Sequence, residues 1–306
     1  LTQPLESQAA VVLVGGHESN NGTDLSFAAE LVPGALITPA GRPLHNTLTH
    51  LRGRGRSGSG AEPAPIVVLP MTFGRNPTLV ADTAKTLSWL GVQGSSSDTA
   101  GASSPVPMVL ADAFGTGDHL TAWLRAAATE VRRRAPEAAV LIFADAANPF
   151  DDAELHRITH LVRTHGAGNP VETAAVDDAS GLLTALNRLR LLGSAQTVVV
   201  PAGFRRVASV RGEAVPFGEG GFIDAEFYGA LLSEQAVLRV IRERIRDALH
   251  NLSHGRTGIE AGLAADHGHG YAHSHAFEEA NGHSHTHHHG AADSHTHNHP
   301  IPIRSN

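Results

Sequence analysis

The chain has no cysteine. Disulfides and thiolate metal sites are therefore excluded, and any metal must be held by imidazole, carboxylate or carbonyl oxygen. Lysine is nearly absent as well. Lys85 is the only one among 23 basic residues, so every cationic site is built from arginine or histidine. Apolar runs are short, and none approaches the roughly 20 residues of a bilayer-spanning helix. No signal-peptide pattern opens the sequence. The expectation is a cytoplasmic protein with no membrane partner, and the first residue, Leu1, is what a processed or truncated N-terminus leaves. A net charge of −7 argues against general nucleic-acid binding. What is there is a chain of 306 residues, 41% of them hydrophobic, enough for two ordinary domains or one large α/β unit.

Short apolar runs bounded by turn residues predict buried strands at residues 11–14, 35–37, 66–69, 140–143, 171–176 and 198–200. Helical patterns lie between them, at 24–31, 44–51, 78–90, 119–133, 152–165, 181–192 and 234–249. Strands alternating with helices imply parallel strands joined by crossover helices. Residues 52–65 and 94–107, rich in Gly, Ser, Arg, Pro and Ala, are expected as mobile loops.

The halves repeat each other. Ile66-Val-Val-Leu-Pro70, running into Met-Thr-Phe-Gly-Arg75, is similar to Val198-Val-Val-Pro201, running into Ala-Gly-Phe-Arg205. Val11-Val-Leu-Val-Gly-Gly-His17 pairs with Val140-Leu-Ile-Phe-Ala-Asp-Ala146, at a similar offset of about 130 residues. Gly115-Thr-Gly-Asp-His-Leu120 and Gly229-Ala-Leu-Leu-Ser-Glu-Gln-Ala-Val-Leu238 each lead into a helix. The expected architecture is α/β, with two similar lobes at 8–135 and 136–252, each a small parallel sheet with helices on both faces. A flexible histidine-rich tail at 253–306 follows.

Twelve histidines fall between residues 267 and 299 of that tail: His267, His269, His273, His275, His283, His285, His287, His288, His289, His295, His297 and His299, with Glu278, Glu279 and Asp293 among them and Asp266 just ahead. Neutral imidazole suits nickel, cobalt, zinc and copper. The His-x-His spacing on a flexible backbone lets rings converge without a preformed site, so loose binding with proton competition is expected. Irregular spacing and interspersed acids set the segment apart from an expression tag.

In the body, His17 follows a predicted strand and Gly15-Gly16, at the C-terminal edge of a parallel sheet where open α/β folds place ligands. Paired glycines allow close backbone approach. Neither phosphate-loop pattern is present, and Ser19 lacks the flanks of a nucleophile elbow. His156 and His160, at i and i+4 of a predicted helix, have spacing for a surface metal site, with no third ligand evident.

Gly16-His17-Glu18-Ser19, Val67-Val-Leu-Pro70, Phe114-Gly-Thr-Gly-Asp-His-Leu120 and Ala230-Leu-Leu-Ser-Glu-Gln-Ala-Val-Leu238 together resemble the class II chelatases, the sirohydrochlorin chelatases of the CbiX/SirB type, over residues 10 to 250. Long members of that family are tandem duplications, several with histidine-rich segments. The resemblance implies insertion of Co²⁺ (or Ni²⁺) into a sirohydrochlorin-type tetrapyrrole in cobalamin biosynthesis, without an organic cofactor. The divalent metal is then substrate or cargo. His17 is implied as metal ligand or proton acceptor, with Gly16, Ser19 and Asn76 as substrate contacts. Arg42, Arg75, Arg205 and Arg206 are candidate forks for the macrocycle carboxylates.

Departures from the family pattern are specific. Asn76 stands where a second histidine is expected, Thr38 where an acid is expected, and Asp145-Ala146 where a second Gly-His would lie. Asn76 coordinates only weakly, through its carbonyl oxygen; His45, His50 and His119 are candidate replacements. These losses support an alternative, a non-catalytic metal store or metallochaperone derived from a chelatase. A third reading is the same scaffold acting on another macrocycle or small chelator.

Overall fold

The structure, a computed structural model, describes residues 9–56, 63–95, 106–210, 213–214 and 225–265. The twelve tail histidines lie outside the described residues, as do 57–62 and 96–105 of the two segments read as loops.

Two four-stranded parallel sheets form the frame. The first comprises β1 (Ala10–Gly15), β2 (Leu36–Pro39), β3 (Ile66–Met71) and β4 (Met108–Leu110), in the order β2-β1-β3-β4. The second comprises β5 (Ala139–Asp145), β6 (Val171–Val176) and β7 (Thr197–Pro201), with β10 (Ala225–Phe227) at its far edge. Its order, β6-β5-β7-β10, repeats that of the first sheet. The matched order is the structural counterpart of the sequence repeat. A small antiparallel hairpin, β8 (Ser209–Val210) with β9 (Glu213–Ala214), follows β7.

Period-2 alternation decides which side chain enters which core. Val12 and Val14 of β1, with Ile66 and Val68 of β3, face Leu44 and Leu48 of α2 (Arg42–Arg56) and Leu87 of α3 (Pro77–Ser95). Leu141 and Phe143 of β5 likewise face Leu182 and Leu186 of α6 (Ala179–Leu191). The opposite faces of both sheets, Val11 and Leu13 on one and Val140 and Ile142 on the other, meet in one central core. That core also takes in the buried stripes of α1 (Ser26–Leu31), α4 (Gly117–Arg134), α5 (Pro149–His165) and α7 (Glu234–Ser253). Both faces of each sheet are therefore covered, which is why the strands read as continuous apolar runs.

The closing helix of each half crosses to the other sheet. α4 ends the first half yet packs against α5 and β7. Arg134 pins it there through an ion pair with Glu226 of β10 at 3.0 Å, with its guanidinium over the Tyr228 ring. α7 ends the second half yet packs against α1, β3 and β4, and Arg244 Nε donates to the Ala113 carbonyl at 2.9 Å. Cutting the chain near residue 135 therefore separates the sheets but not their helices.

Two differences from the sequence reading have clear causes. α2 runs on to Arg56, into the stretch expected as loop, and Arg52 donates from it to the Leu90 carbonyl of α3 at 3.0 Å. Beyond Ser253 the ordered chain continues into α8 (Ile259–Leu263), which packs on α3, while Leu110 N–H donates to the Thr257 carbonyl at 2.8 Å. Five residues are too few to show an apolar period, so this segment was read as tail.

Candidate metal-handling cleft between the lobes

The C-terminal ends of β1, β3, β5 and β7 converge where the lobes meet. After β1 the chain turns sharply through a 3-10 segment, His17–Leu25. Asn20, Asn21 and Gly22 all take left-handed backbone there, with Gly22 at φ 96°. A Cβ on Gly15 would lie 2.3 Å from Gly22 N, so the turn closes only over a glycine. Ser19 locks it: its hydroxyl donates to the Gly16 carbonyl at 3.1 Å and accepts from Gly22 N–H at 3.2 Å. Ser19 is wholly buried and serves the turn. Gly16 is held to glycine by Asn76, whose Nδ2 lies 2.5 Å from where a Cβ would be.

This turn aims His17 across the lobe boundary. Its Nε2 sits 3.0 Å from Oδ2 of Asp151, on α5 of the other lobe. The contact has the distance of an ion pair without hydrogen-bond geometry, and both ring nitrogens are buried with no hydrogen-bond partner among the described residues. Asp151 is itself fixed by the start of α5. Asn148 caps that helix by accepting from Phe150 and Asp151 N–H, and its Nδ2 donates to Asp151 Oδ2 at 2.8 Å.

Arg75 and Asn76 have local duties. Arg75 is 1% exposed and lies 3.5 Å from Glu18 Oε1, and its Nη2 reaches the Ala202 carbonyl of the second lobe at 3.5 Å. Glu18 Oε2 accepts from Thr72 Oγ1 and from Phe73 N–H. Asn76 Oδ1 accepts from Leu79 N–H at 3.0 Å and Thr78 Oγ1 at 2.8 Å, capping α3, so its carbonyl oxygen is occupied. The lobes also share backbone here. Phe204 N–H donates to the Glu18 carbonyl at 3.0 Å, and Gly203 leaves room for it, since a Cβ would stand 2.7 Å from that oxygen. Beneath, Phe73 packs on Phe204 at 4.4 Å between ring centroids.

The second lobe supplies a matching charge pair. Arg205 pairs with Asp145 at the end of β5, donates to the Ser209 carbonyl, and stands 4.0 Å from Asp24 of the first lobe. Burial pushes the Asp24 carboxyl above its ordinary range; Arg205 pulls it back and Asp145 pushes it further up. Arg206 instead pairs with Glu234 at 3.1 Å and covers the Phe27 ring. Arg42 is exposed at the start of α2, at the same edge of the first sheet, with no ion pair among the described residues.

The replacement histidines go elsewhere. His45 lies against Trp89, His50 is exposed on α2, and His119 completes the capping box of α4 with Thr116 while stacking on Trp123. His156 and His160 are exposed on α5. Thr38 is buried, its hydroxyl bonded to the Pro39 carbonyl. Among the described residues no group of three or more His, Asp or Glu side chains is gathered to hold a metal.

His17, Glu18, Arg75, Asp145 and Arg205 line a crevice of about 250 Å³, its open mouth included. Two further carboxylates stand beside the lining: Asp151, 3.0 Å from His17, and Asp24, 4.0 Å from Arg205.

Asp151 and Glu18 were not singled out in the sequence. Asn148-Pro149 ahead of Asp151 is a helix-start signal that could have moved the start of α5 forward to include it. No local pattern marks it as facing His17, because that contact spans 134 residues of chain.

No helix among the described residues is long and apolar enough to cross a membrane. The chain matches no protein-family model and no curated protein sequence. Among solved structures it is similar to an extracellular ligand-binding receptor from Verminephrobacter eiseniae, at 11% identity and a TM-score of 0.31. The match covers 63% of this chain and 57% of the receptor, so the chain spans little more than half of that protein's length.

Proposed function

We propose that the cleft handles a divalent transition-metal ion and that the protein is a chelatase, delivering Co²⁺ (or Ni²⁺) to a sirohydrochlorin-type tetrapyrrole laid across the cleft mouth. The observation that carries this reading is His17. An imidazole sits at the C-terminal edge of a parallel sheet, both nitrogens without a hydrogen-bond partner among the described residues, facing a carboxylate across the lobe boundary. His17 and Asp151 are two donors for one incoming ion. Water or the macrocycle nitrogens complete its coordination. Two pyrrole protons must leave as the ion enters: Asp151 takes one, and His17, once the metal has moved on, takes the other. Arg42 at the sheet edge is the free guanidinium for a macrocycle carboxylate.

The test mixes the full-length protein with Co²⁺ and sirohydrochlorin and follows absorbance. Wild type is expected to exceed the spontaneous rate, and His17→Ala to fall back to it. A His17→Ala variant as fast as wild type overturns the proposal.

A second reading, a metal store or metallochaperone, is favoured by the commitment of Arg75 and Asn76 to the scaffold. It predicts metal binding lost when the tail histidines are replaced, and no acceleration of insertion. Replacement is the better form of that test, because truncation after Leu252 would also remove α8 from α3.

A further inference from the structure

We infer that His250 and His254, at the end of α7, form a second metal site, distinct from the cleft and from the histidines of residues 267–299. The two residues are one helical turn apart and exposed, with ring centroids 4.7 Å apart and planes at 75°. Metal–imidazole bonds of roughly 2.0–2.1 Å place each ring centroid about 3.2 Å from the ion. Two rings bound side by side, at angles of about 90–109°, then stand roughly 4.5–5.2 Å apart. The observed separation falls inside that window.

Position adds to the case. α7 is 20 residues long, and its C-terminal carbonyls present the negative end of the helix dipole where the pair sits. A dication there is favoured without a third protein ligand. Arg246 and Asp247, one turn earlier, contribute opposite charges, so the helix end dominates the local field. The pair is also remote from His17. Glu234 at the start of α7 pairs with Arg206 beside the cleft, and His250 follows 16 residues later, about 24 Å along the axis. The ligand class is a late divalent ion with a preference for imidazole, such as Ni²⁺, Cu²⁺ or Zn²⁺. This inference does not rest on the insertion chemistry.

The test uses full-length protein with the twelve tail histidines replaced by asparagine, titrated with Ni²⁺ by calorimetry, with amide hydrogen exchange read across residues 246–256. With His17→Ala also in place, so that the cleft contributes no imidazole, one equivalent of Ni²⁺ is expected to bind and to slow exchange at the end of α7. His250→Ala and His254→Ala should each weaken binding by about tenfold or more and remove the protection, while His156→Ala changes neither. Absence of binding in the tail-replaced chain, or binding in either single variant as tight as in their parent, overturns the inference. Insertion assays on His250→Ala keep the questions apart, because the cleft reading predicts an unchanged rate at saturating metal.

Discussion

The two lobes solve the same local problem in different ways. Each brings an arginine from the end of its third strand against a carboxylate that follows its first: Arg75 on Glu18 in one, Arg205 on Asp145 in the other. In the first lobe the pair is sealed, at 1% and 0% side-chain exposure, and the adjoining His17 points outward across the boundary. In the second the pair is less buried, has Ala146 in the chain where the first lobe has its histidine, and draws in Asp24 from across the cleft. Duplication supplied two equivalent strand ends, and one became a scaffold carrying the imidazole while the other became an acidic wall. The proposed metal-handling role would then need an imidazole at only one of the two ends, with Asp151 at the start of α5 as the opposing carboxylate.

The largest expected effect comes from breaking the sealed pair. Arg75→Met leaves Glu18 buried without its partner and should lower stability by about 3–5 kcal/mol, read by denaturant unfolding. A loss as small as that of a surface substitution would mean Glu18 has another source of compensation. Gly203→Ala tests the clasp between lobes. Its Cβ meets the Glu18 carbonyl, so a loss of about 1–3 kcal/mol is expected in the same assay. Asn76→Ala removes the cap of α3 at about 1 kcal/mol, whereas a metal-ligand role would leave stability intact and impair insertion instead.

The smallest effect has the opposite sign and belongs to the second lobe's looser cluster. The Asp24 carboxyl is raised in the folded state, so its contribution favours folding below the ordinary carboxylate range and is lost as pH rises through the raised value. At neutral pH the ionised group opposes folding. Asp24→Asn should therefore raise the melting temperature at pH 7 by a few degrees at most, with the gain vanishing in acid. A destabilised variant at pH 7 would show that the attraction to Arg205 outweighs burial.

The frame was legible because strands buried on both faces write themselves as apolar runs such as Val11–Val14 and Val198–Val200. The edge strands β4 and β10, three residues each, and α8, at five, are too short to show a period. His17 was found through its strand-end position. Its partner was not, because the meeting of His17 with Asp151 spans 134 residues of chain. Arg75 and Asn76 were read as substrate contacts, yet burial and capping commit them to the scaffold. Sequence spacing locates a polar residue at a strand end, but whether it faces solvent or its own carboxylate is decided by packing.

The central claim is that the two lobes cooperate in moving a metal through His17 and Asp151, and one comparison tests it most directly. Initial rates of Co²⁺ insertion into sirohydrochlorin would be measured for wild type, His17→Ala, Asp151→Asn and the chain with its tail histidines replaced. The account predicts that both cleft variants fall to the spontaneous rate, while the tail variant matches wild type at saturating metal and slows only when metal is limiting. Cleft variants as fast as wild type, or loss of activity only in the tail variant, would contradict it.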